Sequence, residues 1–337
     1  PDCLLFPQHP YEEYPLYQES ARFDAADDTD EFANYWAQAD RLDADSSASK
    51  AVRHKLVSRS RYESESNGLY DGIIQTHANY VVGKFGPTLR MQTGSAAFNR
   101  MVEVRWERWA KAVKLRRKLH CMAQAKPQDG EAIAVVRTNP RITNDVKLDV
   151  VLYETEQCQT LAPDLEIGHV DGVQFDAFGN PEFYDILPFH PGSGNGWGSY
   201  SGRLESEQVP AQYVLHWFAL RRPGLHRGVP ELRSSLNVGA SSRRMREATV
   251  TAVETAARLG AALIKQPAGA DPEPIAAGSS WDLKTRQATM LPDGCDVTQM
   301  DSKFPNATYR EFQRAQTSEQ ARPISMPHNL AASDSSD

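Results

Sequence analysis

The segment from Tyr213 to Leu236 has the sequence YVLHWFALRRPGLHRGVPELRSSL, and it decides how the rest of the chain is interpreted. Its first part, through Phe218, is dominated by β-forming residues and predicts a strand. Proline and glycine residues between Arg222 and Pro230 predict a turn-rich connection. From Glu231 towards Lys265, no proline interrupts a repeat of apolar and small residues every three or four positions, which predicts a long helix.

The predicted long helix has a small-residue side and a charged side. Alanine, threonine and glycine are frequent in it, so it can approach neighbouring helices closely. A ring of repeated helices requires such an approach, although a plain buried core helix would show the same pattern. Small and apolar residues recur at Met245, Ala248, Ala252, Ala256, Leu259 and Leu263, and charged residues fall at Arg243, Glu247, Glu254 and Arg258.

Two further helices are predicted upstream, at Arg53–Gly83 and Ala96–His120, with a short strand at Thr88–Gln92 between them. The second helix is the most basic element, and its tryptophans, Trp106 and Trp109, are expected in the core. Its basic face either meets the acidic N-terminal segment or an acidic surface of a neighbouring subunit, or it contacts DNA directly. The basic residues are Arg105, Arg108, Lys111, Lys114, Arg116, Arg117 and Lys118.

The middle of the chain predicts antiparallel β-structure. Gly130–Arg137 and Val146–Glu154 are predicted as adjacent strands. Gly172–Asp176 is predicted to pair with Glu182–Leu187 across a turn that contains glycine, asparagine and proline. Helices and antiparallel strands in separate stretches indicate an α+β class.

Beyond the long helix, the prolines between Gln266 and Pro274 break the chain sharply. A compact β-containing excursion is predicted to follow. A second helix is then predicted at Asn306–Ala321, with Asn306 as its N-cap. The order is therefore helix, excursion, helix.

The net charge of −7 conceals three blocks of different sign. Residues 1–50 contain 3 basic and 12 acidic residues, residues 51–126 contain 15 and 5, and residues 127–337 contain 19 and 27. An acidic protein is poorly suited to tight, static DNA binding, which depends on clustered lysine and arginine. Weak contact with sliding DNA remains compatible with a mostly repulsive wall that carries a few basic groups.

The sequence contains no signature of enzyme or cofactor chemistry. It has no GxxxxGK[ST] phosphate loop, no GxGxxG, no GxSxG and no HExxH. His216 and His226 are interpreted as packing or hydrogen-bonding groups. The carboxylates near Gly294 do not follow the spacing of a calcium loop. We therefore expect no enzyme activity, no cofactor and no metal site.

The sequence also bears on the cellular compartment of the protein. No apolar run approaches the roughly 20 residues that cross a bilayer, and no signal peptide opens the chain, so we expect a soluble cytosolic protein. Four scattered cysteines form no CxxC pair and are interpreted as reduced packing thiols. Both termini are expected to continue into a longer protein.

Four stretches carry a resemblance to one family. The 213–236 segment resembles the passage that leads into the long stem helix of lambda-type portal proteins of tailed bacteriophages. Arg59–Glu63 with Asn67–Gly83 resembles the family's early wing helix, and Gly172–Pro181 resembles its GVEFDxxGRP hairpin. The fourth stretch, Leu291–Val297 with Pro305–Phe312, resembles the family passage LPPGEDV…PN..YEEF. The resemblance covers most of the chain after Ser58, in the family's order.

The resemblance implies a portal-like α+β subunit with an α/β wing, long stem helices and a small β-containing clip. It implies no enzyme; the motor that hydrolyses ATP would be another protein. Residues 1–50 would form an acidic N-terminal arm that either wraps a neighbouring subunit or is a locally disordered tail. The other expected parts are a wing at 51–231, stem helix 1 at 232–266, a clip at 267–304, stem helix 2 at 305–322 and the start of a tunnel loop at 323–337, with the crown beyond.

The same resemblance implies partners and a location. The subunit would form a dodecamer at one capsid vertex of the virion, after assembly in the host cytoplasm. It would contact the major capsid protein, dock terminase and head–tail adaptors, and pass double-stranded DNA through its channel with weak contact. The alternative interpretation is a non-enzymatic DNA-binding protein or another structural virion protein.

Two sets of site residues follow from this layout. Lys265, Lys284, Arg310 and Arg314 are the candidates for weak phosphate contact in the channel. Arg310 and Arg314 are four residues apart and share a helix face. They could equally pair with carboxylates such as Glu311 of a neighbouring chain. Candidates for docking at the clip are Trp281, Lys284 and Arg286.

Overall fold

A computed structural model describes residues 37, 39–160, 168–193, 205–258 and 309–334, with only the backbone for 255–258. The chain divides into two compact units, Pro1–Asp43 and Ala44–Asp337. All the elements below belong to the second unit, which mixes helices with two antiparallel sheets and confirms the α+β class. None of its described helices combines the length and the apolar character that a membrane span needs.

The described part of this unit begins with five helices. They are α1 (Ala44–Ser47), α2 (Lys50–Ser66), α3 (Gly68–Val82), α4 (Ala96–Ala112) and α5 (Leu115–Asp129). The prediction of one helix over Arg53–Gly83 is wrong, because Asn67 is extended and separates α2 from α3. The Asn67 side chain accepts the backbone N–H of Leu69 at 3.3 Å and so caps α3.

Two other predictions fail between residues 88 and 120. The helix expected over Ala96–His120 is two helices, because Lys114 adopts a left-handed conformation (φ 55°) between α4 and α5. The strand expected at Thr88–Gln92 is absent; this stretch has no strand partner in the described chain. The backbone N–H of Met91 instead donates to the carboxylate of Glu103 at 3.0 Å.

Within the described residues, seven strands form two sheets. One sheet has the order β2–β1–β7 and the other the order β3–β4–β5–β6, and all pairs are antiparallel. The predicted pairing of the first two strands and the predicted hairpin are confirmed. The bounds are β1 Glu131–Thr138, β2 Leu148–Tyr153, β3 His169–Val170, β4 Val173–Phe175, β5 Pro181–Ile186, β6 Glu207–Pro210 and β7 Val214–Phe218.

The 213–236 segment continues from β7 into the C-terminal helices. A 3-10 turn (Glu231–Ser234) precedes α6 (Leu236–Arg258), which confirms the predicted long helix over its described length. The next described helices are α7 (Tyr309–Ala321) and α8 (His328–Ala332). Asn306, the predicted N-cap, lies outside the described residues.

Strand β1 separates two of the three apolar cores that the described residues form. Ala132 and Ala134 face α4 and α5, where Trp109 is buried as predicted. Ile133 and Val135 face the second sheet. The third core joins α3, the 3-10 turn, α6, α7 and α8 around Tyr70, Ile73, Ile74, Leu232, Leu236, Ala321 and Ala331.

Candidate functional site: helix pair and buried ion cluster

A buried ion cluster holds the turn-rich part of the 213–236 segment. Glu131, at the start of β1, is 1% exposed, and Arg227 is 2% exposed. Arg227 donates from Nη2 to Glu131 Oε1 at 2.6 Å and from Nη1 to the carbonyl of Cys158 at 2.9 Å. The backbone N–H of Gly228 donates to Glu131 Oε2 at 2.7 Å. The Glu131 carboxylate therefore holds both the Arg227 side chain and the backbone of the turn-rich connection.

Four more side chains complete this buried ion cluster. His216 Nε2 lies 2.9 Å from Glu131 Oε2, and the hydroxyl of Thr155 donates to Oε1. Arg53, from α2, pairs with Asp171, which follows β3, and its Nη1 lies 3.7 Å from Glu131. A buried charge pair is tolerated only when its remaining polar atoms also find partners. Because its members come from different elements, the cluster ties α2, both sheets and the 213–236 segment together.

The pKa shifts follow from this arrangement. Burial alone raises the pKa of Glu131, but the Arg227 guanidinium and the hydrogen bond with His216 outweigh it and hold that pKa well below its usual range. Burial lowers the pKa of Arg53 to about 10, and the charge of Arg227 adds to this effect. Glu131 is therefore an ionised anchor rather than a group that exchanges protons near neutrality.

Two glycines permit the backbone contact beside this cluster. A Cβ on Gly228 would lie 2.4 Å from the carbonyl oxygen of Gly130, and one on Gly130 would lie 2.2 Å from the carbonyl carbon of Val229. Gly130 also has a positive φ of 95°, which L side chains rarely adopt. The start of β1 and the connection therefore touch backbone to backbone.

The helix pair α6–α7 lies beyond the connection. Ser242 donates to Gln316 at 2.7 Å, Gln320 donates to Ser242 at 3.0 Å, and Ser235 donates to the carbonyl of Gln320 at 3.1 Å. Contacts advance along α6 while they go back along α7, so the two helices are antiparallel. Tyr70 of α3 donates to Ser235 at 2.9 Å and joins this polar seam.

Helix α6 is also fastened to α2 and α3. Arg243 pairs with Glu63 at 2.8 Å, and Arg246 donates to Asn67 at 2.8 Å. Gly239 faces Tyr70, where a Cβ would lie 2.3 Å from a ring carbon. The glycine at 239 therefore allows α6 to approach α3 closely.

The predicted site residues are only partly described. Arg310 and Arg314 both lie on α7 with exposed side chains, and their spacing puts them on one side of the helix. Lys265, Lys284, Trp281 and Arg286 lie outside the described residues. Their proposed roles stay predictions.

Sequence reasoning missed the buried ion cluster. Glu131 and Arg227 are 96 residues apart, and nothing in periodicity pairs them. A usable signal was present, because each charged residue directly adjoins a glycine, Gly130 or Gly228, at the edge of an apolar stretch. Charged residues beside obligatory glycines indicate a close, buried backbone contact.

One acidic group within the described residues has ligand atoms close enough for a metal. Oxygens of Glu154 and Glu156 and a ring nitrogen of His190 lie within 4.8 Å of one another. Arg61 already pairs with Glu154 at 3.2 Å and with Glu156 at 3.0 Å. A guanidinium at this position neutralises the carboxylates, so the group is better explained as an ion-pair network.

Comparison with known proteins gives one result that covers most of the chain. No curated protein matches it. The sequence pattern of the family described as "Phage portal protein, lambda family" matches residues 32–337. This range includes the 213–236 segment, every residue of the buried ion cluster and the helix pair α6–α7. The chain therefore belongs to the lambda family of phage portal proteins.

Proposed function

We propose that this chain is the subunit of a ring at one capsid vertex, through which DNA enters during packaging and leaves during ejection. The family implies a virion protein and an oligomeric ring, and it is a structural family rather than a known enzyme family. The observation that carries the proposal is the match over residues 32–337. The buried ion cluster agrees with it, because its groups bind one another and serve as structural anchors.

The antiparallel helix pair supports the proposed layout of stem and clip. The chain leaves the folded body along α6 and returns along α7, so Arg258 and Tyr309 lie towards the same end of the pair. We propose that residues 259–308, which connect these two ends along the chain, form the excursion. We assign residues 232–266 and 305–322 to the stem, 267–304 to the clip and 51–231 to the wing.

Partners follow from the proposed parts. The clip would dock terminase during packaging and head–tail adaptors afterwards, while the outer surface of the ring would contact the major capsid protein. Subunits would assemble in the host cytoplasm and remain in the virion. Double-stranded DNA would slide through a mostly acidic channel in which Arg310 and Arg314, repeated in each subunit, form a weak basic belt.

Ring formation tests the proposal directly. Mass photometry and negative-stain class averages of the purified protein should show a cyclic oligomer with a central hole. Head-to-tail contacts close into a ring when the rotation between neighbours allows it. Compact monomers or two-fold dimers at every concentration would contradict the proposal. DNA binding with a steep salt dependence but no ring would instead indicate a DNA-binding protein.

A further inference from the structure

The loop after α3 and the helices α4 and α5 carry an exposed basic surface. Residues 84–117 contain nine basic and two acidic residues, a net charge of +7. All nine basic side chains are exposed, and none forms an ion pair with a carboxylate of the described residues. The repulsion among them favours an acidic partner. They are Lys84, Arg90, Arg100, Arg105, Arg108, Lys111, Lys114, Arg116 and Arg117.

A groove of about 430 Å³ lies within this basic surface. Its apolar walls include Phe85, Pro87, Trp106 and Leu115, and Lys111 also lines it. Phe85 is 79% exposed, so an apolar group that covered it would remove a large apolar area from water. The groove therefore suits an aromatic side chain that is accompanied by a carboxylate.

The β4–β5 hairpin presents both of these groups. Phe178, at its turn, is 90% exposed. Asp176 accepts the backbone N–H groups of Phe178 and Asn180, both at 2.8 Å, and so holds the turn in one shape. Glu182 is exposed and forms no ion pair within the described part of the chain. A turn that is already ordered loses little conformational freedom on binding.

The wider surroundings of the hairpin have the sign of charge that the basic surface favours. Residues 148–202 contain nine acidic residues and no lysine or arginine. This stretch and residues 84–117 are therefore complementary blocks of one chain. Complementary charge raises the rate of encounter between two surfaces and selects their partner.

The groove and the hairpin lie on opposite sides of β1. Trp106 and Leu115 of the groove belong to the core between α4, α5 and one face of β1. Val173 and Tyr184 of the hairpin belong to the core on the other face. Because the sheet separates them within one chain, the two surfaces can meet only between two copies. Such a head-to-tail contact closes into a ring when the rotation between neighbours allows it.

We propose that the β4–β5 hairpin of one subunit docks in the groove of the next subunit, with Phe178 between the apolar walls and Glu182 against the basic side chains. The inference rests on the proposed ring and adds a contact that joins its neighbours. Duplex DNA would pair with the basic side chains but would leave Phe85 and Leu115 uncovered. The composition of the groove thus favours the hairpin over nucleic acid.

Photo-cross-linking of the full chain tests the contact. Benzoylphenylalanine at Phe178 should cross-link to peptides from residues 84–117, and the reciprocal probe at Thr88, which lines the groove, should cross-link to peptides from residues 173–186. In a mixture of unlabelled and isotopically heavy protein, these cross-links should join a light copy to a heavy one. The same probe at Val250, which is 57% exposed on α6, is the control and should not reach residues 84–117. Cross-links that stay within single copies, or that reach only other segments, overturn the contact.

Class averages of the same samples separate this contact from the proposed function. Rings in which neither probe joins the hairpin to residues 84–117 overturn the contact and leave the proposed function standing. The absence of both rings and cross-links overturns both.

Charge reversal gives an independent test. Lys84→Glu with Lys111→Glu should lower the yield of the cross-link from position 178 about tenfold, because attraction between the two surfaces becomes repulsion. Lys55→Glu with Arg59→Glu makes the same charge change on exposed residues of α2 and should leave the yield unchanged. Adding Glu182→Lys to the groove variant should restore much of the yield. An unchanged yield in the groove variant, with its circular dichroism spectrum intact, overturns the proposal.

Discussion

Glu131 holds a negative charge where solvent is excluded, and its partners come from segments far apart in sequence. Arg227 neutralises it, Gly228 donates a backbone bond to it, and His216 bonds to it from the neighbouring strand. Removing one member of such a group leaves the opposite charge buried without compensation. The cost is therefore much larger than that of breaking a surface pair.

Glu131→Gln should reduce the free energy of unfolding by about 3–5 kcal/mol, since Arg227 and Arg53 would remain buried without their anion. Urea denaturation at neutral pH measures this change. Glu207→Gln is the matched control: it breaks the exposed pair with Arg137 and should cost at most about 1 kcal/mol. Equal losses in the two variants would contradict the central role of Glu131.

The acid dependence of stability should change in the same variant. The depressed pKa of Glu131 means that its contribution is present above the unfolded-state pKa of about 4.3 and is lost as pH falls through the folded-state pKa. The difference between wild type and Glu131→Gln should therefore shrink as the pH falls below the unfolded-state pKa of about 4.3. Urea titrations at a series of acidic pH values measure it. A difference that stays constant would show that folding does not depress the pKa of Glu131.

Arg310→Gln with Arg314→Gln should leave ring assembly intact but reduce the retention of packaged DNA. Both side chains are exposed, and glutamine preserves helix propensity, so the fold should tolerate the change. Phage assembled with the variant would be assayed for genome content. Lys114→Gln with Arg116→Gln is the control and should not affect retention. Normal retention, with variant rings shown to be incorporated, would remove Arg310 and Arg314 from the channel.

At the scale of elements, the close contact between α3 and α6 depends on the absence of a side chain at Gly239. Gly239→Ala should destabilise the protein by roughly 1–3 kcal/mol, because its methyl group would overlap the Tyr70 ring. Gly72→Ala on α3 is the control: nothing lies within 4 Å of the new methyl group, so the change should be neutral or stabilise by up to about 1 kcal/mol. Thermal unfolding compares the two. A stabilising Gly239→Ala would show that the helices separate without cost.

Strands β1, β2, β4, β5 and β7 and the long helix could be predicted because local pattern determines them, whereas β3 and β6 were not predicted and the strand expected at Thr88–Gln92 is absent. Successive residues of β1 face two different apolar cores, and the turn after Asp176 has the residues that such a turn needs. The break at Lys114 could not be predicted, because lysine is a good helix former and no side chain caps the helix there. The break at Asn67 had a signal, since asparagine followed by Gly68 is typical of a helix N-cap.

At the scale of the whole molecule, the proposed clip should be separable from the folded body. Replacing residues 269–301 with a short Gly/Ser linker should preserve folding and the ring, because the helix pair is held by contacts nearer the body. The same change should abolish terminase binding. Pull-down with terminase and negative-stain imaging measure the two effects. Retained binding would contradict the clip assignment, and loss of the ring would contradict a docking-only role.

The family could be recognised from sequence, whereas the contacts that hold the fold together could not. Four motifs in order indicated a portal subunit, and the match over residues 32–337 confirms the family. The pairing of Glu131 with Arg227 depends on how two sheets and a connection meet in space. Which segments come into contact depends on the topology of the fold, and the pattern of charges along the chain does not reveal it.

Helix α6 is attached to the rest of its unit mainly through its N-terminal half. Its first three turns are clamped through Gly239, Ser242, Arg243 and Arg246, and beyond them Val250 is 57% exposed. From Arg246 to Arg258 the helix extends about 18 Å, at 1.5 Å per residue. A sideways force applied at Arg258 would therefore act mainly on the attachment of α6 to α2 and α3, that is, on the Arg243–Glu63 and Arg246–Asn67 hydrogen bonds. Deflection of the far end would be felt first in α2 and α3.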